Sequence, residues 1–191
     1  MIKFSFWSSA VLLLLAVSLS APAFGQCTPR GQVLVGGNRF YDYIANGGPT
    51  STSCWSLVNV DYVSGIYACG PFSPDTPSFS FRYASSATQS FTIPTSNTLT
   101  SFWFGYEYDF IDPHQDGFNQ LDAYVTDLTT GQTLVQNHRY GNQGSASCTQ
   151  FSTSFSGSLA GHTLQVRFTG NKGYSDTYIR VRNITLSQQI F

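Results

Sequence analysis

Formal charge is what this chain has least of. Asp, Glu, Lys and Arg make up 10% of its 191 residues, against roughly 25% in an average globular protein. The net charge is −1, which leaves no basic face for nucleic acid and no cationic patch for an anionic membrane. The four cysteines lack paired C-x-x-C spacing, so the usual zinc frameworks are absent. Helical periodicity is missing beyond the N-terminal leader, and nothing there predicts a core helix. The leader's apolar stretch is itself too short for a membrane span of about 20 residues.

What the chain has instead is aromatic residues, 16% of the total, with many Ser, Thr, Gly, Asn and Val. That mixture suits an all-β extracellular domain whose solubility rests on hydroxyls and amides. Compartment is read from the N-terminus. Lys3, the apolar residues 10–17 (AVLLLLAV) and Ala21-Pro22-Ala23-Phe24-Gly25 form a secretory signal peptide, cut after Gly25 or Ala23. Gln26 is the wrong residue for a lipobox at Cys27, so free secretion is expected, to the extracellular space or the periplasm. Residues 1–25 are therefore the leader and 26–191 one domain. An even number of cysteines in an oxidising compartment predicts two disulfides with three open connectivities. Cys54–Cys69 plus Cys27–Cys148 is preferred, because the first closes a local loop and the second staples the N-terminus. Each bridge is worth about 2–4 kcal/mol.

Beyond Gln32 the chain reads as roughly ten short strands separated by turn formers at a spacing of ~8–12 residues. Residues 79–83 and 87–93 are two of them, with 120–127, 133–139, 150–155, 162–169 and 177–186 towards the C-terminus. The fold class this predicts is all-β, a two-sheet antiparallel β-sandwich or barrel. Its centre is 99–110, LTSFWFGYEYDF. Side chains alternate along a strand, so Phe102, Phe104, Tyr106, Tyr108 and Phe110 share the core face. Trp103, Gly105, Glu107 and Asp109 share the outer face, where Trp103 is either open or covered by an N-terminal strand or loop.

Three segments carry a family resemblance. Residues 87–94 (ATQSFTIP) resemble an S-Q-T-F-T-V-P strand, and Leu99 with 101–104 (SFWF) resembles L-S-F-W-Y. Residues 159–168 (LAGHTLQVRF), Tyr178-Ile179 and 183–186 (NITL) are similar to L-A-G-Q-T-V-R-L-R-F followed by F-Y-I-D-N-V-S-L. Their order and spacing resemble the galactose-binding-like jelly rolls of secreted carbohydrate-binding modules. The resemblance implies jelly-roll topology, sugar binding and, in many members, a structural calcium ion. Arg182 stands where the family has an acidic residue, and no G-F-E opening appears, so the usual calcium place lacks its carboxylates.

A flat indole suits the apolar face of a sugar ring, while carboxylates and amides suit its hydroxyls. The expected ligand-binding set is Trp103, Glu107 and Asp109, with Asp122 and Tyr124 on what is expected to be the neighbouring strand. Glu107, Asp109 and Asp112 also echo the E-x-D-x-x-E run of a sandwich glycoside hydrolase family, whose two carboxylates stand about 5–5.5 Å apart. The loop Asp112-Pro-His-Gln-Asp116-Gly-Phe-Asn119 reads as a turn, or as a calcium loop through Asp112, Asp116 and Asn119. No other cofactor is expected. His138 and His162 look like surface residues without partners in the sequence. The chain is expected to be a secreted, non-catalytic module for a glycan or a cell-surface or matrix component. A glycoside hydrolase and a purely structural or adhesive surface protein stand as alternatives.

Overall fold

The computed structural model describes residues 31–35, 38–44, 54–63 and 77–190. The leader, Cys27 and Cys69 lie outside the described residues. Of the two described cysteines, Cys54 and Cys148, neither is a free thiol; their expected pairings fall on the residues just excluded.

Ten strands appear in chain order: β1 (Gly31–Val35), β2 (Asn38–Asp42), β3 (Ser56–Val63), β4 (Ser78–Thr92) and β5 (Ser101–Ile111), then β6 (Gln120–Asp127), β7 (Gln132–Tyr140), β8 (Ala146–Ser156), β9 (Thr163–Asn171) and β10 (Tyr178–Ile190). No α-helix occurs among the described residues, and no helix there is long and apolar enough to cross a membrane. Every strand pairing is antiparallel. One layer runs β1-β2-β10-β5-β8 and the other β3-β4-β9-β6-β7, an antiparallel jelly-roll sandwich.

β4 joins the layers at a corner. Its second half pairs with β9, while Phe79 and Ser80 pair with Val181 and Arg180 of β10. The sequence predicts two strands here; the structure has one of 15 residues. Residues 83–86 (YASS) contain no Gly or Pro to reverse the chain, so the chain bends instead. Ala84 takes φ 46° and the facing Asn59 takes φ 52°, where the register between β3 and β4 slips. The Asn59 side-chain amide donates to the carbonyls of Tyr83 and Ala84, holding the bulge. β8 likewise begins at Ala146, four residues before the strand predicted at 150–155.

The core follows the period-two pattern. Phe102, Phe104, Tyr106, Tyr108 and Phe110 of β5 are all buried, as are Leu121, Ala123 and Val125 of β6. They reach across the sandwich to β9: the Phe168 ring lies 6.3 Å from Phe104 and meets Tyr106 edge-on at 5.0 Å. Edge-on aromatic pairs add to the burial of area itself. Phe104→Ala should cost about 3–5 kcal/mol of stability, since the cavity is walled by fixed rings and cannot collapse. Urea unfolding of the variant checks this; a loss below about 1 kcal/mol, the size of an ordinary surface change, would mean the row is not the core.

Candidate functional site

Trp103 projects from the outer face of the β8-β5-β10 sheet and is 48% exposed, so the open alternative holds. Its cross-strand neighbours are Ser154 on β8 and Ser187 on β10; one rung on, Gly105 sits between Ser152 and Thr185. The indole thus stands over a floor of hydroxyls and one bare glycine. Two hollows flank it. One, about 330 Å³, lies between Trp103, residues 98–102, Phe40, Ser187 and Gln189. The other, about 300 Å³, lies between Trp103, Glu107, Gln150, Asn183 and Thr185, with Gly105 in its floor. A Cβ on Gly105 would already touch the Phe151 carbonyl and the Thr185 hydroxyl at 3.4 Å, so a larger side chain there would fill this hollow.

The carboxylates of the row are held down by Arg182. This arginine is 1% exposed. Its Nη1 donates to Asp109 Oδ2 at 2.7 Å, its Nη2 to Asp109 Oδ1 at 3.3 Å, and its Nε to Glu107 Oε2 at 3.3 Å. Asp109 Oδ1 also accepts the Cys148 amide at 2.8 Å and the Ser147 hydroxyl at 3.3 Å. Burial pushes the Asp109 carboxyl up, but these hydrogen bonds and the guanidinium charge outweigh it and hold the pKa below its ordinary 3.8. Asp109 is therefore buried with both oxygens engaged and supports the face from beneath, which corrects its expected place on the rim. Glu107, the chain's only glutamate, is partly exposed and borders the second hollow.

Asp122 and Tyr124 do not join this face. They lie on β6, whose neighbours are β7 and β9 in the opposite layer; the neighbours of β5 are β8 and β10. Nor does His138 stand alone: its Nδ1 lies 2.6 Å from Asp122 Oδ1, and its ring meets Tyr124 edge-on at 5.9 Å. His162 pairs with the buried Asp127 at 2.8 Å. Both histidines find their partners on other strands, which neighbours in sequence could not reveal. Asp112, the third carboxylate of the hydrolase-like run, lies beyond the end of β5 and is fully buried. Ser187, Gln189, Gln150 and Asn183 border the hollows without having been expected; only the pairing of β10 and β8 with β5 brings them there.

Arg182, which stands where the resemblance places an acidic residue, is itself the partner of Asp109 and Glu107. Among the described residues, no three His, Cys, Asp or Glu side chains gather around one point.

No protein-family model matches the chain, and no curated protein matches it in sequence. Solved structures do resemble it. The enzymatically active domain of tailspike protein 4 from bacteriophage CBA120 superposes with a TM-score of 0.50 at 13% identity, over 78% of this chain and 21% of that one. The common feature is the sandwich fold. This chain spans about a fifth of the tailspike chain, and at that identity the likeness concerns fold alone. TmCBM61 in complex with β-1,4-galactotriose gives a TM-score of 0.48 at 12% identity, over 76% of this chain and 97% of that one. The carbohydrate-binding module from Cellvibrio mixtus lichenase 5A in complex with cellotriose gives 0.42 at 8%, over 70% and 89%.

The Arg182 pair makes two predictions. Arg182→Ala leaves a buried carboxylate uncompensated and should cost about 3–5 kcal/mol. A cost under about 1 kcal/mol in urea unfolding would mean that the pair is solvated like an ordinary surface bridge. Second, Asp109 and Asp127 both titrate below their ordinary value in the fold. Their stabilisation is complete above the unfolded carboxyl pKa of about 4 and is lost as pH falls through the lower native values. The contribution of these two carboxylates to the unfolding free energy should therefore be constant above about pH 5 and fall steeply below about 4. An Asp109→Asn variant should show a shallower acid limb; an unchanged limb would remove Asp109 from the account.

Proposed function

We propose that this chain is a secreted, single-domain, non-catalytic module that binds a glycan across the β8-β5-β10 face, with Trp103 as its stacking platform. One observation carries the reading. A half-exposed indole stands between two hollows, above serine, threonine and glycine, in a protein whose other large aromatics on this strand are buried. An exposed indole above hydroxyls is suited to a ligand that is apolar on its ring face and polar at its rim. Glu107, Gln150 and Asn183 supply hydrogen-bonding groups beside it. The resemblance of residues 87–94, 99–104 and 159–186 to carbohydrate-binding modules points the same way. Secretion rests on the leader at residues 1–25 and on the even number of cysteines in the chain.

The non-catalytic part of the reading rests on electrostatics. A retaining hydrolase needs two carboxylates facing one bond, with the acid's pKa raised. Here Arg182 binds both Glu107 and Asp109, the Asp109 pKa is lowered, and Asp112 is buried past the strand end.

Polysaccharide pull-down or a glycan array tests the proposal. The mature chain should bind at least one glycan, and Trp103→Ala should lose about 1–3 kcal/mol of affinity, as for loss of an exposed stacking aromatic. Its stability should change by under about 0.5 kcal/mol, because the residue packs on no core. Unchanged binding in the variant removes Trp103 from the site. No binding to any glycan removes the function. Release of reducing sugar that Glu107→Gln abolishes would instead establish the hydrolase.

A further inference from the structure

Asn183 is the one residue of β10 with a left-handed backbone. Its φ is 49°, at the point where β10 slips its register against β5 between Arg182 and Thr185. Alternation shows what the slip does. Val181 is buried in the core, so a regular strand would turn Asn183 inward and Ile184 outward. The extra residue of the bulge reverses this. Ile184 and Leu186 are fully buried, while Asn183 and Thr185 are only half-buried and border the hollow beside Glu107. Glycine would adopt this backbone with the least strain. The chain instead keeps an asparagine there, and with it a side-chain amide at the hollow.

Three polar groups meet in that hollow of about 300 Å³, those of Glu107, Gln150 and Asn183. Glu107 Oε2 accepts from Arg182 Nε at 3.3 Å. Among the described residues, Glu107 Oε1 and the amides of Gln150 and Asn183 make no hydrogen bond with the protein. Charge on this face has one sign. Glu107 is the only charged residue among the described ones that line either hollow. The cation beneath it, Arg182, is buried and engaged with Asp109 and Glu107.

We infer that Glu107, Gln150 and Asn183 form a selecting subsite, which takes a neutral sugar by its ring hydroxyls and excludes acidic sugars. The inference rests on the glycan reading of the Trp103 face and adds the chemical class of the glycan. Glu107 Oε1 only accepts, whereas the two amides both donate and accept. Hydroxyls, which also do both, match that set. The amides alone would suit a carboxylate or a sulfate as well, but the negative charge of Glu107 beside them repels either one. The bulge holds Asn183 and Arg182 holds Glu107, so two of the three groups are in place before a ligand arrives.

An array of neutral, carboxylated and sulfated polysaccharides, followed by calorimetric titration of the best binder, tests this on the mature chain. Every glycan that the parent binds tightly should be free of carboxylate and sulfate. Asn183→Gly keeps the left-handed bulge and removes only the amide. It should melt no lower than the parent and bind the best glycan about fivefold more weakly. Glu107→Gln should weaken that glycan about tenfold and narrow the gap between neutral and acidic glycans. An acidic glycan bound as tightly as the best neutral one overturns the inference while the Trp103 reading stands. Parent-like affinity in either variant, or an unchanged gap in Glu107→Gln, does the same. No binding of any glycan by the parent overturns the reading itself, and the subsite with it.

Discussion

The outer face of this protein depends on one buried cation. Arg182 ties three strands together: it lies on β10, its carboxylate partners lie on β5, and Asp109 in turn accepts the Cys148 amide and Ser147 hydroxyl of β8. In a chain with so little charge, a guanidinium and a carboxylate buried together must satisfy each other or leave a costly unpaired ion. The pair is therefore a fixed geometric requirement on the register of β5 between β10 and β8. It also sets the chemistry of the surface above. Asp109 is drawn beneath the sheet and Glu107 is half held, so Trp103 is left to stand over hydroxyls rather than among free anions.

The same strand does two jobs, because its faces are chemically opposite. The inward row of β5 is five aromatic rings packed against the other layer, and their burial fixes the strand's height and twist. The outward row is indole, glycine and carboxylate. A side chain as large as Trp103 would ordinarily be drawn into the interior, but a strand with period two cannot turn it there without expelling Phe102 and Phe104. Its exposure follows from the core on the other side. That is the physical reason Trp103 stands half-exposed, whereas Tyr83 or Leu128, exposed singly, need no explanation.

How much of this was legible in the sequence divides along the same line. The facing of β5 and β6 was readable because alternation is local, and the burial of Phe102 through Phe110 and of Leu121, Ala123 and Val125 follows it. Strand adjacency was not readable. In a jelly roll the partners of β5 are β8 and β10, far along the chain, while β6, next in sequence, crosses to the other layer; Asp122 and Tyr124 went with it. The long β4 looked like two strands because a left-handed bulge at Ala84 and a true turn leave similar traces in composition. Arg182 was visible as a departure from a family pattern, but its partners on β5 could be named only once β10 was seen beside it.

The central claim is that the face made by Trp103, Gly105 and their cross-strand serines and threonines is where a sugar ring lies. The most direct measurement is a two-dimensional NMR titration of the isotope-labelled mature chain with a panel of oligosaccharides, following the indole N–H of Trp103 and the amides of Gly105, Ser152, Ser154, Thr185 and Ser187. The account predicts saturable shifts concentrated on these residues, with the buried Trp55 indole and the β6–β7 surface around His138 unmoved. Saturable shifts confined to the β6–β7 surface, or no shift with any oligosaccharide, would contradict it.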